Sequence, residues 1–186
     1  MNIVQVKNKS NRIMGIDNST QSLAYCIFNG KDPESWGEIN FTGNNTFERL
    51  PDIRKQLESF SKDVEVDIIG IEQTTRVNSQ KTAILLAMAA GVVISFLAEK
   101  AKVVEVSVST WQSKTSKPSL SKLEKSAFKK ASPGRTASWY KNQFRIQSKQ
   151  RTIDWVKDTY GVELTSNNIA DAFALSAYLA NRETIC

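Results

Sequence analysis

Three acidic residues in this sequence lie at the ends of apolar segments, where their carboxylates could share one site. Asp17 ends the apolar segment 12–17, Glu72 ends the segment 66–72, and Asp171 lies near the start of an amphipathic segment. An ionised carboxylate at the end of a buried strand is costly unless a positive charge meets it. Taken alone, Asp17 could cap a turn and Asp171 could complement a helix dipole. The repeated setting favours one common site.

Three converging carboxylates predict a site for divalent metal. They repel each other unless a cation holds them, and Mg²⁺ prefers hard oxygen ligands together with water and phosphate. Two such ions ~3.5–4 Å apart can activate a water molecule and stabilise the leaving oxygen in phosphodiester cleavage. The chain contains no histidine, which excludes Ser-His-Asp and Cys-His nucleophile systems and histidine-ligated zinc. We therefore expect Mg²⁺ as the cofactor, with Mn²⁺ able to replace it.

The elements that must position these residues alternate between strands and helices. Five segments have the apolar patterning and flanking turns of strands: 12–17, 22–29, 35–42, 66–72 and 103–108. Four have helical patterning: 46–62, about 79–100, 147–160 and about 166–180. Strands followed by helices at these spacings predict an α/β fold, with helices on the faces of a mixed sheet.

The composition limits the classes of protein to which the chain can belong. Its 186 residues predict a single domain, 1–186, and its net charge of +6 is compatible with an acidic partner. The two cysteines, Cys26 and Cys186, are typical of a reduced intracellular protein. The first residues lack the apolar run of a signal peptide. We therefore expect a cytoplasmic protein, associated with the nucleoid or, if a virus encodes it, located in the host cytoplasm.

One segment, 82–98, has 17 residues without a charge. A helix that crosses a bilayer needs about 20 apolar residues. The segment is rich in alanine and lies between predicted strands of an α/β fold. We therefore expect a buried helix rather than a membrane span.

A strongly basic segment follows the last predicted strand. Residues 114–151 contain eleven Lys or Arg and one acid, Glu124, so their local charge of +10 exceeds the +6 of the whole chain. Such a segment can be a solvated, partly disordered insertion. The aromatic residues between the cations favour a nucleic-acid arm, because cations neutralise phosphate and aromatic rings stack on exposed bases. The candidate contacts are Lys125, Lys129, Lys130, Arg135, Trp139, Tyr140, Lys141 and Arg145.

Four motifs occur in a characteristic order: Gly15-Ile16-Asp17, Gly70-Ile71-Glu72-Gln73, a small-residue helix ending in Ala90-Gly91, and Ala170-Asp171-Ala172-Phe173-Ala174. Together they resemble the RuvC-type Holliday junction resolvases of the ribonuclease H-like superfamily. The resemblance implies a ribonuclease H-like five-stranded mixed sheet flanked by helices, and a homodimer that makes paired, Mg²⁺-dependent nicks in four-way DNA junctions during recombination and repair. It also places Asp17, Glu72 and Asp171 on the metal-binding carboxylates of the family.

The sequence departs from this family in two places. The family usually has a further Asp or His three residues before the final Asp, and here that position is Asn168. An Asn carbonyl can still ligate metal or hold water, so we include Asn168 in the catalytic set and expect Asn168→Asp to keep activity. The basic insertion, about 112–148, is longer than in typical members. Lys114 and Lys149 are the nearest matches to lysines of the family.

A dimer interface and several other functions stay open at this stage. Four small residues of the 82–98 helix would permit close approach of a second copy, namely Ala83, Ala87, Ala90 and Gly91, although burial within its own domain explains them equally well. A related ribonuclease H-like nuclease could act on flaps, other branched DNA or RNA, and a non-catalytic branched-DNA-binding module is a further alternative. The turn after Gly15 also resembles the phosphate hairpin of sugar kinases, but those proteins need two domains and a second phosphate loop.

Overall fold

The computed structural model describes residues 11–73, 79–115 and 120–183. Its strands are β1 (Arg12–Asn18), β2 (Ser22–Asn29), β3 (Asp32–Asn40), β4 (Ile68–Glu72) and β5 (Lys102–Val106). Its helices are α1 (Thr46–Phe60), α2 (Gln80–Leu97), α3 (Val108–Thr115), α4 (Lys122–Ala131), α5 (Ala137–Tyr160) and α6 (Asn167–Glu183).

The five strands form one mixed sheet in the order β3-β2-β1-β4-β5. β2 pairs antiparallel with both β1 and β3, whereas β1, β4 and β5 run parallel. Parallel neighbours end at the same edge of a sheet, so the C-terminal ends of β1 and β4 lie side by side. The predicted five-stranded α/β sheet is confirmed.

Helices cover both faces of the sheet because alternate residues of β1 and β4 are apolar on each side. Met14 and Ile16 face one layer, in which Ile53 of α1 and Val93 of α2 are buried. The opposite face packs against α6, with Phe173 at its centre, and also against α3 and α5. The core therefore has two layers, and α6 is the helix in closest contact with the central strand.

The close approach of α6 to β1 requires glycine at position 15. A Cβ atom on Gly15 would lie 2.5 Å from the Ala172 carbonyl oxygen and 2.6 Å from the Ser176 hydroxyl. The buried Ser176 Oγ instead accepts a hydrogen bond from the Gly15 N–H at 2.7 Å and donates to the Cys26 carbonyl at 2.7 Å. These contacts fix the first turns of α6 beside the end of β1.

The edge strand and the insertion differ from the prediction in extent. β3 begins at Asp32 rather than residue 35 and includes Pro33, which an edge strand tolerates because its N–H need not join a ladder. Val108 begins α3 instead of ending β5. α5 is continuous from Ala137, capped by Thr136, where the sequence predicted a helix only from residue 147. The apolar residues of α5 do not recur at clear helical spacing, so the sequence pattern did not predict the first half of this helix.

Helix α2 is buried on one side only, so the expectation of a buried helix is only partly correct. Ala89 and Val93 lie in the core, whereas the side chains of Ile84 and Ile94 are 53% and 37% exposed. Among the described residues, α2 is the one helix whose length and composition would allow it to cross a membrane. We call its outer face, made by Ile84, Ala87, Gly91 and Ile94, the α2 stripe; the spacing of three and four places them on one side of the helix.

Candidate active site

The structure brings Asp17, Glu72 and Asp171 to one edge of the sheet. Ile16 of β1 pairs with Ile71 of β4 in parallel register, so the next residues, Asp17 and Glu72, lie side by side at the strand ends. Asp171 is in the first turns of α6, the segment that the Gly15 contacts hold against β1. Their catalytic and metal-binding roles remain predictions.

The three carboxylates influence one another electrostatically. Burial raises the pKa of Glu72 to about 7, and the neighbouring charge of Asp17 adds to the effect. Burial likewise raises the pKa of Asp171 to about 7, with contributions from Asp17 and Glu72. The pKa of Asp17 is also raised, chiefly by burial. Each carboxylate is therefore in an environment that opposes its ionised form.

Two residues oppose this destabilisation of negative charge. The buried Trp111 of α3 donates a hydrogen bond from Nε1 to Glu72 Oε2 at 3.3 Å. Lys149 of α5 lowers the pKa of Asp17, Glu72 and Asp171 by its positive charge. The sequence motifs did not identify Trp111, although a buried indole N–H needs an acceptor and a tryptophan after β5 hints at one. Lys149 lies close enough to the carboxylates for its charge to act on them, and its contact with DNA stays a prediction.

A fourth carboxylate, Glu38 of β3, lies close enough to Asp17 for its charge to act on it. Its Oε1 accepts hydrogen bonds from the Ser22 hydroxyl at 2.7 Å and from Asn168 Nδ2 at 3.1 Å, and its Oε2 accepts one from the Ser166 hydroxyl at 3.3 Å. The Ser22 hydroxyl lowers the pKa of Glu38, and the charge of Glu38 raises the pKa of Asp17. Sequence analysis did not identify Glu38.

The donor set fits a hard divalent cation, although the side chains do not yet form a closed cage. Within the described ranges, no three Asp, Glu, Cys or His side chains have the spacing of a complete metal site. The buried Asn18 Oδ1 has no hydrogen-bond partner there, and Asn18 lines a cavity of about 40 Å³ together with Asp17 and Glu72. An unpartnered oxygen beside two buried carboxylates is chemistry that suits Mg²⁺ or Mn²⁺.

The basic insertion is a helical hairpin held together by aromatic side chains. Phe128 of α4 stacks on Trp139 of α5, with ring centroids 5.9 Å apart, and packs edge-on against Phe144. The Tyr140 hydroxyl donates to the Ser132 carbonyl at 2.6 Å. Trp139 and Tyr140 are therefore partly buried in the hairpin and hold α4 against α5. They are not freely presented rings.

The cations of the hairpin lie mostly on its surface. Arg135 and Lys129 sit over the rings of Trp139 and Tyr140, at 5.3 and 5.6 Å from the centroids. An ion pair between Glu124 and Arg151 links α4 to the second half of α5. Lys125 is partly buried over Phe144. The remaining predicted contacts are exposed, namely Lys114 at the end of α3 and Lys130, Lys141 and Arg145 on the hairpin.

A second, larger cavity lies at the opposite end of the strands. Its volume is about 560 Å³, and Arg12, Phe60, Asp67 and Lys100 are among the residues that line it. These residues adjoin the starts of β1 and β4, whereas Asp17 and Glu72 lie at the strand ends. The sheet edge that carries Asp17, Glu72 and Asp171, which we call the carboxylate edge, has three groups with raised pKa values. It is therefore the better candidate active site.

Comparisons with known proteins identify the fold. No family model matches the sequence, and no curated protein gives a significant match. Among solved structures, RuvC of Thermus thermophilus in complex with a Holliday junction substrate superposes with a TM-score of 0.68 at 11% identity, covering 94% of this chain and 96% of that chain. A further T. thermophilus RuvC structure gives 0.65 at 14% identity, with the same coverage.

The yeast mitochondrial Holliday junction resolvase Ydc2 gives a TM-score of 0.54 at 14% identity, covering 94% of this chain and 80% of that chain. At such low identities the similarity establishes the fold. The chain has a RuvC-like fold, which confirms the resemblance that the acidic motifs indicated.

The raised carboxylate pKa values predict how stability depends on pH without metal. A native carboxyl with a raised pKa binds more protons than the unfolded chain between the two pKa values, so stability must fall as pH rises through that window. For Glu72 the window runs from 4.5 to about 7. We expect the free energy of unfolding to fall by on the order of 3 kcal/mol between these two pH values, measured by urea unfolding in the presence of a chelator. Asp171→Asn should make the free energy of unfolding fall less steeply with rising pH.

The matched control is Asp158→Asn, which removes an exposed acid from α5 and should leave the slope unchanged. Mg²⁺ should stabilise the wild type more above pH 7 than below 5, because metal and protons compete for the same oxygens. Equal slopes for wild type and Asp171→Asn would remove Asp171 from the cluster.

Proposed function

We propose that this chain is a divalent-metal-dependent endonuclease that resolves four-way DNA junctions. The observation that carries the proposal is the meeting of Asp17, Glu72 and Asp171 at one sheet edge of a RuvC-like fold. The named structural neighbours, RuvC and Ydc2, are Holliday junction resolvases. A nuclease that acts on flaps or RNA is the second candidate, because the three carboxylates alone do not determine which nucleic-acid structure is cut.

The chain's own residues would divide the work of phosphodiester hydrolysis. Asp17, Glu72 and Asp171 would hold Mg²⁺, which supplies an activated water and stabilises the leaving oxygen when bound. Trp111 fixes one oxygen of Glu72 through its N–H, which orients the other for ligation. Lys149 places positive charge beside the same carboxylates, where it can neutralise the scissile phosphate.

The basic hairpin offers a surface for the arms of a branched DNA. Its exposed lysines and arginines contact phosphate irrespective of sequence, and their spread along α4 and α5 suits a backbone that leaves the active site. Cations seated over aromatic rings are held in place, so less side-chain freedom is lost on binding. The hairpin would thus position DNA while the sheet edge cuts it.

A homodimer would supply two active sites for the two strands that must be nicked. A four-way junction is approximately two-fold symmetric, and an isologous interface places two identical sites in matching positions. The α2 stripe suits such an interface because it exposes Ile84 and Ile94, and a Cβ built on Gly91 meets no described atom within 4 Å. The proposed partner of the stripe is a second copy of this chain.

The metal-binding assignment predicts the behaviour of three conservative variants. Asp17→Asn, Glu72→Gln and Asp171→Asn should each lower Mg²⁺-dependent cleavage of a mobile four-way junction by more than about a hundredfold, because each removes one of the negative charges that bind the cation. Junction binding in Ca²⁺ should be retained. The assay is a denaturing gel of end-labelled DNA, with Asp63→Asn, an exposed acid beyond α1, as the control of equal charge.

The same gel distinguishes the alternatives when junction, linear duplex, flap and RNA–DNA hybrid are run together. Resolution predicts paired, symmetric nicks in the junction and little cutting of duplex. Preferred cutting of the flap or hybrid would favour the second candidate. Tight junction binding without cutting in Mg²⁺ or Mn²⁺ would favour a non-catalytic binding module and contradict the proposal.

The basic hairpin predicts the salt dependence of binding. Replacing Lys129, Lys130 and Arg135 by Gln should lower the slope of log K against log salt by roughly one for each phosphate that the variant no longer neutralises. Fluorescence anisotropy with a labelled junction measures this slope. A matched triple variant of exposed lysines elsewhere, Lys31→Gln, Lys55→Gln and Lys62→Gln, should leave it unchanged. Equal slopes for the two triples would show that the hairpin does not contact DNA.

The α2 stripe predicts a dimer that one charge can break. Ile84→Glu should raise the dimer dissociation constant by at least about tenfold, because it buries a carboxylate in an apolar interface. Phe47→Glu on α1, where the side chain is 64% exposed, is the matched control and should leave the dimer intact. Sedimentation velocity measures both. A monomeric wild type, or equal loss in both variants, would contradict an interface at the stripe.

A further inference from the structure

Glu38 lies in the same row of the sheet as two of the proposed metal ligands. Asp17 of β1 pairs with Ala24 of β2, and Ala24 pairs with Glu38 of β3. Directly paired residues point to the same face, and strands lie about 4.8 Å apart. The side chain between the two carboxylates is only the buried methyl of Ala24. The register therefore aims Glu38 across β2 towards the site.

The contact between Glu38 and Asn168 fixes the orientation of the Asn168 amide. An ionised carboxylate only accepts hydrogen bonds, so the amide must present Nδ2 to Glu38, as the 3.1 Å contact shows. Its Oδ1 is consequently turned away from Glu38. Asn168 and Asp171 are three residues apart in α6 and share a helix face. The contact with Glu38 therefore uses the nitrogen of the amide and not its oxygen.

Glu38 is itself held in place by two further donors. The hydroxyl of Ser22, from β2, and that of Ser166, just before α6, both donate to its carboxylate. Three donors from two parts of the chain, β2 and the start of α6, are an arrangement suited to keeping a carboxylate ionised and immobile. Glu34, on the same strand, pairs instead with Arg12 at the start of β1.

We propose that Glu38 is a positioning residue of the active site: it orients the Asn168 amide towards the bound metal and adds, from the edge strand, the negative charge that an asparagine lacks. The inference rests on the proposed metal site of Asp17, Glu72 and Asp171. A carboxylate on β3 and an amide on α6 together provide what a single acid at position 168 would provide alone.

This pairing changes the expected effect of substitutions at position 168. The sequence-based expectation that Asn168→Asp keeps activity takes no account of Glu38. That change would place two carboxylates at about the present 3.1 Å, where their charges repel each other and favour a shared proton that competes with the metal. Asn168→Asp alone should therefore weaken metal binding. Adding Glu38→Gln should restore the hydrogen bond in the opposite direction, because the new amide at position 38 can donate to the new carboxylate at position 168.

The first test compares Glu38→Gln with Glu34→Gln, a matched change that removes the same charge from the same strand. Mn²⁺ binding to the DNA-free chain is measured by the electron paramagnetic resonance signal of free Mn²⁺. Glu38→Gln should weaken Mn²⁺ binding by about 10–100-fold and lower junction cleavage to a similar degree, the range found for partners of metal ligands. Glu34→Gln should bind and cleave like the wild type.

The second test uses the exchange of roles and covers the case in which Glu38→Gln does not fold. Asn168→Asp should lower the thermal midpoint of the metal-free chain above pH 7 and weaken Mn²⁺ binding. The double variant Glu38→Gln/Asn168→Asp should recover at least about fivefold in Mn²⁺ affinity over Asn168→Asp alone, as directly coupled residues do. No recovery would overturn the pairing.

The outcomes separate this inference from the proposed function. A wild type that binds no Mn²⁺ would overturn the metal site and the inference together. A wild type that binds Mn²⁺, with Glu38→Gln indistinguishable from Glu34→Gln, would overturn only the role of Glu38. Normal metal binding and pairing with no cleavage of any junction would leave the role of Glu38 supported and refute the resolvase.

Discussion

The repulsion between partly buried carboxylates at one sheet edge is the constraint on which the rest of the structure depends. Asp17, Glu72 and Asp171 each have a raised pKa because burial and their neighbours oppose ionisation. Rigid packing holds the three acids close together despite this repulsion. Parallel pairing of β1 with β4 places Asp17 beside Glu72. The close contact between Gly15 and Ser176 holds α6, and with it Asp171, against β1. In the proposed function, the stability lost at this edge is recovered when a divalent cation binds its oxygens.

Charge is distributed over the molecule in a way that matches this division. The sheet edge concentrates acids, whereas the helical hairpin of α4 and α5 carries most of the excess positive charge. Lys149 connects the two, because it belongs to the hairpin's long helix and its charge acts on the carboxylates. The aromatic cluster at Phe128 holds the hairpin in shape without relying on the core of the sheet. DNA held by one part would therefore be presented to the other.

Much of this arrangement was predictable from sequence, and the exceptions share a physical cause. Asp17 and Glu72 were found because a charge that ends an apolar run is a local pattern, and the mixed sheet flanked by helices was expected from the alternation of strands and helices. Glu38 and Trp111 were missed because their importance arises from register and packing between segments far apart in the chain. The first half of α5 was missed because aromatic residues and cations alternate there without a clear helical period. Local patterns identify the candidate ligands, but only the packed structure identifies the residues that hold them in place.

The most direct measurement of the central claim is the location of Mn²⁺ in crystals of the wild-type chain by anomalous scattering. The carboxylate edge predicts a strong anomalous peak in direct contact with oxygens of Asp17, Glu72 and Asp171, and its loss in crystals of Asp171→Asn. An Asn168 oxygen near that peak, with Nδ2 still hydrogen-bonded to Glu38, would support the role of Glu38 in orienting the amide. A wild-type crystal soaked in saturating Mn²⁺ that shows no peak at this edge, or a peak only elsewhere, would contradict the assignment of the active site.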